Sequence, residues 1–326
     1  QHRAMDAQQF AQLEHADIEK LLAILHTLDD PKTSGYLWLR AYEHHYSEEI
    51  FSALLNKHAQ ETPALSTPPA AQLIFCMDDR EESVRRHLEE LAPQLETLGA
   101  AGVFGLPNNW RGLDVPKPLK LAQPVVTAVH EFTEVADNGV AAVVVRGHQR
   151  RHGWLNALRG LKNHQMRHSV LGTTLALPLF APFALLELLG RGFMPATYQR
   201  WMTKLQRRVS LPLQTRVDYT ASEVLECPTK EHNQRGLSAA EKVAKVAAFL
   251  KLTGFTSGFA PLVVLMAHRS RHLNNPHILG YGCGACSGRF GGPNARAFAG
   301  MANDPVVRAQ LAAEHGIVIP ETCRFM

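Results

Sequence analysis

Several features that mark specialised protein classes are scarce in this sequence. Only 5 of the 326 residues are cysteine, an odd number spread along the chain, which argues against a secreted disulfide framework and favours a reducing compartment. Neither sign of charge dominates, since 34 Lys and Arg face 30 Asp and Glu, so no general nucleic-acid-binding surface is indicated. Internal repeats and low-complexity tracts are missing, which excludes fibrous and disordered classes.

What is present is an ordinary globular composition, 45% hydrophobic and 20% charged, and a length that suits one large domain or two ordinary ones. The sequence begins with Gln1 rather than Met, and we expect it to be an excised segment of a longer protein. Five segments are predicted along it: an N-terminal helical segment, 1–60; a linker, 61–70; the first half of an α/β core, 71–126; a mostly helical, basic and apolar insertion, 127–236; and the second half of the core, 237–326.

The first half of the core shows a βαβ pattern. Residues 71–75 form a short apolar run of the kind that is buried in a parallel sheet, and a helix beginning near Glu81 follows it. The apolar residues 102–105 are the candidate for the second strand. Such connections are nearly always right-handed, so the fold class is predicted to be α/β with a largely parallel sheet.

The insertion contains a long apolar run. Residues 169–189 carry only one charge, Glu187, and basic residues flank them on both sides. The length is sufficient to span a bilayer, although Pro178 and Pro182 argue against a simple spanning helix. Three interpretations stay open: an apolar hairpin that faces a membrane or partner, a buried pair of core helices, and a true membrane span.

The second half of the core has clear helix and strand signals. Ser238 and Glu241 form a capping box, residues 261–266 are a continuous apolar strand, and a glycine-rich loop follows. Short helices are predicted to begin at Pro293 and at Asp304, and residues 317–319 are the last strand candidate. The glycine-rich loop lacks the ending of a phosphate-binding loop.

Potential metal ligands follow two of these strands. Cys76 lies at the end of the first strand, His268 lies just after the strand 261–266, and Cys283 lies in the glycine-rich loop. In open α/β sheets, ligands bind at the carboxyl ends of the strands. Two thiolates and one imidazole can coordinate Zn2+ and leave the fourth coordination position open. The N-terminus of the following helix is expected to lower the pKa of the Cys76 thiol.

An acid–base pair follows Cys76. Asp78 and Arg80 share one side with Cys76 if the chain stays extended past the strand. In that arrangement Asp78 can occupy the fourth metal position or accept a hydrogen bond from a bound water, and Arg80 can hold the carboxylate by a two-pronged contact.

Other interpretations of the cysteines stay open. Cys283 and Cys286 form a CxxC motif, which also occurs in redox pairs and as half of a structural zinc site, although the sequence contains no second CxxC. Cys76 alone is also compatible with a small buried hydrophobic residue.

Cys76-x-Asp78-x-Arg80 after a buried strand is also the metal and dyad motif of β-class carbonic anhydrases, which place their histidine and second cysteine closer together. With the wider separation seen here, the sequence resembles the DabA family, the zinc subunit of bacterial inorganic-carbon accumulation complexes. The resemblance covers about residues 70–110 and 235–326. It is carried by these motifs: Phe75-Cys76-Met77-Asp78-Asp79-Arg80, Arg85-Arg86-His87-Leu88-Glu89, Asn274-Asn275-Pro276, Cys283-Gly284-Ala285-Cys286-x-Gly288, Asn294-Ala295-Arg296 and Gly316-Ile317-x-Ile319-Pro320.

The resemblance implies a β-carbonic-anhydrase-like core and carbon dioxide hydration to bicarbonate. It implies Zn2+ held by Cys76, His268 and Cys283, and catalysis by Asp78 and Arg80. It also implies a cation-conducting membrane partner, DabB, a peripheral location on the cytoplasmic face of the bacterial inner membrane, and activity only with that partner. Residues 169–189, with their basic flanks, are the candidate contact with that partner or with an anionic lipid surface.

Two departures from the family pattern stand next to the ligands. Arg269 follows His268 where the family usually has glycine, and Gly282 precedes Cys283 where the family often has an acidic residue. Because Arg269 can narrow the pocket or contact an anion, a non-catalytic, zinc-stabilised scaffold of a membrane complex is the alternative function.

Overall fold

A computed structural model gives the structure of the chain. It divides the chain into two compact units, Gln1–Thr67 and Pro68–Met326. The residues that it describes are 13–28, 30–59, 68–114, 117–160, 170–209, 213–270, 272, 274, 275 and 277–326. Most of the predicted linker therefore lies outside the described residues.

The described residues of the first unit form two helices, α1 (His15–Leu28) and α2 (Pro31–Ala59). Asp30 begins α2, because its carboxylate accepts hydrogen bonds from the amide of Thr33 (3.0 Å) and from its hydroxyl (2.7 Å). Pro31 follows at a position where a helix does not need an amide hydrogen. The predicted N-terminal helices are confirmed.

The second unit is built on a parallel sheet, sheet A. Its strands are β1 (Ala71–Cys76), β2 (Leu95–Ala100), β8 (Leu262–Met266) and β9 (Arg324–Phe325). They lie in the order β2-β1-β8-β9, and each pair of neighbours is parallel. Helix α3 (Asp79–Leu91) connects β1 to β2. The largely parallel sheet predicted from the apolar runs is confirmed.

The second strand of the βαβ unit lies earlier than predicted. Residues 102–105 form a turn, and β2 occupies the preceding residues. Phe104 and Gly105 have φ angles of 48° and 69°, which extended backbone does not adopt, and the Phe104 amide bonds the Ala101 carbonyl at 2.8 Å. The apolar residues of this run are buried because the turn packs into the core, so their hydrophobicity was mistaken for a strand signal.

The prediction of a strand at residues 317–319 is wrong. Gly316 ends the preceding helix in the left-handed conformation, and the Ile317 amide bonds the carbonyl of Leu311 at 3.2 Å. Ile317 and Ile319 are buried against the core, while β9 makes the sheet pairing a few residues later.

A second sheet, sheet B, is mixed. Its strands are β3 (Asn108–Arg111), β4 (Leu119–Leu121), β5 (His130–Ala136), β6 (Thr215–Asp218) and β7 (Gln234–Arg235). β5 is the central strand, parallel to β3 and β7 and antiparallel to β6, and β4 pairs antiparallel with β3.

Between β5 and β6, the part of the chain that the structure describes contains three helices: α4 (Ala142–Gly160), α5 (Val170–Phe193) and α6 (Pro195–Val209). The helical insertion is confirmed, but α5 is one continuous helix through Pro178 and Pro182, so the hairpin interpretation is wrong. Each proline removes only one backbone hydrogen bond, and the Leu- and Ala-rich sequence around them favours a helix.

The described side chains of α5 are largely exposed, so the interpretation as buried core helices is also wrong. Within the described part of the chain, no helix reaches the length and apolarity of a membrane-crossing segment. Ser169 lies outside the described residues.

The core of the second unit lies between the sheets and three C-terminal helices: α7 (Ala239–Leu252), α8 (Gly292–Ala302) and α9 (Pro305–His315). Fully buried side chains from several elements fill it, among them Ile74, Phe104, Phe132, Leu250, Phe298, Met301 and Leu311. Asp304 accepts a hydrogen bond from the Val306 amide (2.9 Å), as the predicted helix start requires.

The capping box of α7 is confirmed, and its glutamate also joins α7 to sheet B. Glu241 accepts hydrogen bonds from the Ser238 amide and the Gln234 side chain, both 2.8 Å, and lies 3.0 Å from Nε2 of His130. Burial opposes ionisation, but these hydrogen bonds lower the pKa of Glu241 to about 2.

We therefore predict that Glu241→Gln destabilises the unit by about 2 kcal/mol at neutral pH, because it removes charge-assisted hydrogen bonds. Since the folded pKa of Glu241 lies below its unfolded value, the ionised group stabilises the fold above about pH 4.5, and that contribution is lost as the pH falls towards 2. Urea unfolding at several pH values should show the difference from wild type shrinking over this range. Glu314→Gln, at an exposed site on α9, is the control and should have little effect. A pH-independent difference would contradict the assignment.

Candidate metal centre

Two neighbouring strands of sheet A bring the first two candidate ligands to one edge. Cys76 is the last residue of β1, and His268 follows β8 by two residues. Phe75 pairs with Met266 in parallel register, so the carboxyl ends of both strands meet at the same edge. Ligand sites of open α/β sheets lie at this edge.

Cys283 reaches the same edge from the glycine-rich loop. Its amide donates a hydrogen bond to the Arg289 carbonyl (2.9 Å), which folds the loop back on itself. Gly282 permits this fold, because a Cβ atom there would lie 2.0 Å from the carbonyl oxygen of Gly288. Any other residue at this position would therefore clash with the loop as it is folded.

The three predicted ligand atoms converge. The sulfur atoms of Cys76 and Cys283 lie 3.9 Å apart, and both lie within 4.8 Å of a ring nitrogen of His268. The two thiols are buried, and the imidazole is 20% exposed. An ion with bonds of about 2.0–2.3 Å to nitrogen and sulfur needs donors at such separations.

Without a cation, both thiols resist ionisation, although their contact with each other is not the cause for both. The hydrogen bond with Cys283, and then burial, raise the pKa of the Cys76 thiol far above its usual value. The hydrogen bond with Cys286 is the largest of the effects that raise the pKa of Cys283 to about 12. The expected lowering by the helix N-terminus is thus outweighed. A divalent cation reverses this balance, because it stabilises both thiolates.

The residues fit a zinc-type ion on two further observations. Nε2 of His268 is buried and has no hydrogen-bond partner among the described residues. A Cβ atom on Gly102 would lie 2.8 Å and 2.9 Å from the sulfur atoms of Cys283 and Cys76, so glycine keeps the space beside them clear. Soft sulfur donors with one imidazole match zinc better than magnesium or calcium.

Asp78 and Arg80 form the predicted two-pronged pair. Nε and Nη2 of Arg80 each donate to a carboxylate oxygen of Asp78 at 2.6 Å. This hydrogen-bonded pair holds the pKa of the Asp78 carboxyl well below its usual range. The backbone stays extended only as far as Asp78, because α3 begins at Asp79 and Asp78 caps it by accepting from the Arg80 amide (3.1 Å). Asp78 Oδ2 lies 4.0 Å from Nε2 of His268, beside the candidate ligands.

Arg80 also connects this pair to the loop that carries Cys283. Its guanidinium donates to the carbonyls of Tyr281 (2.8 Å) and Gly282 (3.1 Å), which directly precede Cys283. One side chain therefore orients the Asp78 carboxylate and the backbone next to a candidate ligand.

Glu81 is a site residue that the sequence analysis missed. One carboxylate oxygen accepts a hydrogen bond from the Cys76 amide (3.1 Å), and the other lies 3.3 Å from Nδ1 of His268. Burial raises the pKa of Glu81, whose side chain is 14% exposed. The contact with Nδ1 is not a hydrogen bond, since Oε1 of Glu81 has no hydrogen-bond partner among the described residues. A carboxylate this close to Nδ1 nevertheless favours the tautomer that presents Nε2 to a metal. The sequence signal that could have identified Glu81 is its position in the first turn of the helix that follows Cys76.

The remaining neighbours support the same arrangement. The buried thiol of Cys286 points to the Gly102 carbonyl at 3.5 Å, and no disulfide joins it to Cys283. The guanidinium of Arg269, next to His268, lies over the ring of Phe290 with its central carbon 5.6 Å from the centroid.

The fold and site together define an α/β protein with a candidate sulfur- and nitrogen-ligated metal centre at the carboxyl edge of a parallel sheet. Comparison with known proteins agrees with the motif resemblance. The sequence profile of the DabA family, described as "Probable inorganic carbon transporter subunit DabA", matches residues 6–326. The chain belongs to the DabA family.

Curated relatives carry the same description. Those of Methylococcus capsulatus and Nitrosococcus oceani are 45% and 42% identical to the chain over its whole length, and that of Dechloromonas aromatica is 44% identical over 90% of it. The chain spans only 30%, 29% and 28% of these relatives, respectively. No solved structure matches the chain.

We predict that Glu81→Gln weakens zinc binding by about 10- to 100-fold, because it removes the negative charge beside Nδ1 of His268 and gives the Cys76 amide a poorer acceptor. Competition with a chromophoric chelator measures the affinity. Glu90→Gln is the matched control, since Glu90 lies on the same helix and is 75% exposed. Equal zinc affinities of the Glu81 variant and wild type would remove the positioning role.

Proposed function

We propose that this chain is the part of an inorganic carbon transport subunit that hydrates carbon dioxide to bicarbonate with the help of Zn2+. The convergence of two buried thiols and an imidazole beside an aspartate–arginine pair carries this proposal. The printed names of the relatives, which describe an inorganic carbon transporter subunit, supply the substrate class.

Cys76, His268 and Cys283 would hold the ion. Zinc bound by three protein ligands lowers the pKa of a water molecule and so makes a nucleophile available near neutral pH. Two thiolates neutralise the charge of the ion, so this set acidifies water less than three histidines would. The site therefore needs help from a neighbouring group, and Asp78 is the group in position to give it.

The Asp78 carboxylate would accept a hydrogen bond from the attacking water and orient it. Two charge-assisted contacts from Arg80 fix the carboxylate, so it cannot rotate freely between hydrogen-bond partners. The low pKa of Asp78 keeps it an acceptor at neutral pH. Preorganisation of this kind reduces the reorganisation needed in the transition state.

Catalysis alone brings carbon dioxide and bicarbonate only to equilibrium, so accumulation requires an energy source. The family resemblance supplies a cation-conducting membrane partner, DabB, and we propose that the protein attaches peripherally to it at the cytoplasmic face of the inner membrane. Helix α5 is the proposed contact. Its exposed apolar side chains include Leu177, Phe183, Leu185, Leu186, Leu188 and Phe193.

The position of α5 supports this assignment. The side-chain amide of Asn274 donates a hydrogen bond to the carbonyl of Arg191, near the end of α5, at 2.9 Å. Asn274 lies between His268 and Cys283 in sequence, so a partner bound on α5 would act close to the segment that carries both ligands.

We predict that Asp78→Asn lowers the rate of carbon dioxide hydration by at least about 100-fold and leaves zinc bound, because it removes an oriented acceptor and no thiol or imidazole ligand. Oxygen-18 exchange between carbon dioxide and water, measured on the full-length protein with its membrane partner, gives the rate. Zinc content is measured on the same samples.

Asp79→Asn is the matched control, since this neighbouring carboxylate is exposed, and it should keep the wild-type rate. Full hydration activity and full carbon-dependent growth of the Asp78 variant would reject the catalytic role. They would favour the alternative function, a zinc-stabilised scaffold without catalysis.

For the partner contact, we predict that Phe183→Glu with Leu186→Glu prevents co-purification of the membrane subunit, because two charges are introduced into an apolar surface, and leaves the zinc content unchanged. Leu252→Glu with Val318→Glu is the control, at two exposed apolar positions outside α5. Loss of zinc in the α5 variant would instead assign this helix to the structural support of the metal centre.

A further inference from the structure

A second group of metal-ligating side chains lies outside the candidate metal centre. Asp114 lies in the turn after β3, His148 and His152 lie on α4, and one ligand atom from each residue lies within 4.8 Å of the others. We propose that these three residues form a second metal site. It would take a borderline divalent transition cation such as Zn2+ and fasten α4 to the turn after β3.

The three side chains already point at one another. The two histidines are four residues apart, which places both on the same face of α4. Nε2 of His148 lies 2.8 Å from Oδ1 of Asp114, and Nε2 of His152 lies 3.7 Å from Oδ2. The two imidazole centroids are 4.3 Å apart. The corresponding nitrogen of each ring therefore faces the same carboxylate.

The burial of these groups argues for a structural role. The side chains of His148 and His152 are only 9% and 18% exposed, and that of Asp114 is 37% exposed. The two histidines lie on the less exposed face of α4, where an amphipathic helix normally carries apolar residues. Among the α4 side chains that the structure describes, residues 142–157, none is fully buried. The contacts of the two histidines with Asp114 therefore supply a polar attachment between this helix and the turn after β3.

A cation satisfies this group better than protons do. Two imidazolium rings at this separation repel each other, whereas one divalent ion accepts the lone pairs of two neutral rings and pairs with the carboxylate. Two nitrogens and one carboxylate oxygen are a zinc-type donor set with a position left for water, and magnesium and calcium prefer oxygen ligands alone. The basic residues of α4 do not belong to this less exposed face, since Arg146, Arg150 and Arg151 are exposed.

Metal analysis of the full-length protein, reconstituted with Zn2+ and separated from unbound metal, tests this site. His148→Gln with His152→Gln is expected to lose one equivalent of zinc relative to wild type. Cobalt substitution distinguishes the two sites, because thiolate ligands give a charge-transfer band that the second site would lack. The double variant should keep this band, which also reports that the core is folded.

The matched control replaces two exposed histidines elsewhere, His87→Gln with His232→Gln, and should keep all of its zinc. If the double variant at α4 keeps both the zinc equivalent and the cobalt band, the proposal is overturned. If the double variant loses the band, the single variant His152→Gln is the deciding test. We expect its second site to bind zinc at least about tenfold more weakly than that of wild type. Wild-type affinity in that single variant also overturns the proposal.

Discussion

The sulfur atoms of Cys76 and Cys283 lie buried 3.9 Å apart, although the two residues are 207 positions apart in sequence. This pair imposes the main constraint on the structure. As thiols they hydrogen-bond weakly and resist ionisation, whereas as thiolates they repel each other unless a cation lies between them. Sheet A creates the pair by placing the end of β1 beside the end of β8, and a loop tight enough to exclude a Cβ atom at Gly282 brings in Cys283. Only a glycine at position 102 leaves room for both sulfurs.

The first turn of α3 organises what surrounds these sulfurs. Asp78 caps the helix and is held by Arg80, while Glu81 reaches back to the Cys76 amide and to the imidazole of His268. One helix start therefore controls the orientation of a candidate ligand and of the neighbouring carboxylate. These contacts require the helix to begin directly after the strand, because an extended backbone past Asp78 would not bring Arg80 and Glu81 to the same positions.

Sequence patterns predicted the parts of this fold that depend on local periodicity and strand ends. The strand before Cys76, the strand before His268, the capping box at Ser238 and the convergence of three ligands follow from apolar runs and α/β topology. The turn at residues 102–105 and the coil at 317–319 were misassigned because burial, and not strand pairing, made them apolar. Glu81 and the group formed by Asp114, His148 and His152 were missed because such contacts depend on tertiary placement, and in a chain with 17 histidines no single one is informative.

The segment between His268 and Cys283 is attached to its surroundings at two places, in its middle and just before Cys283. Asn274 binds the backbone near the end of α5, and Arg80 binds the carbonyls of Tyr281 and Gly282. Since a candidate ligand lies at each end of this segment, a displacement at either attachment changes the spacing of the donors. A transport role requires that catalysis depend on an event elsewhere, because a free catalyst only speeds the approach to equilibrium. In the proposed complex, this attachment would let a partner bound on α5 influence the site.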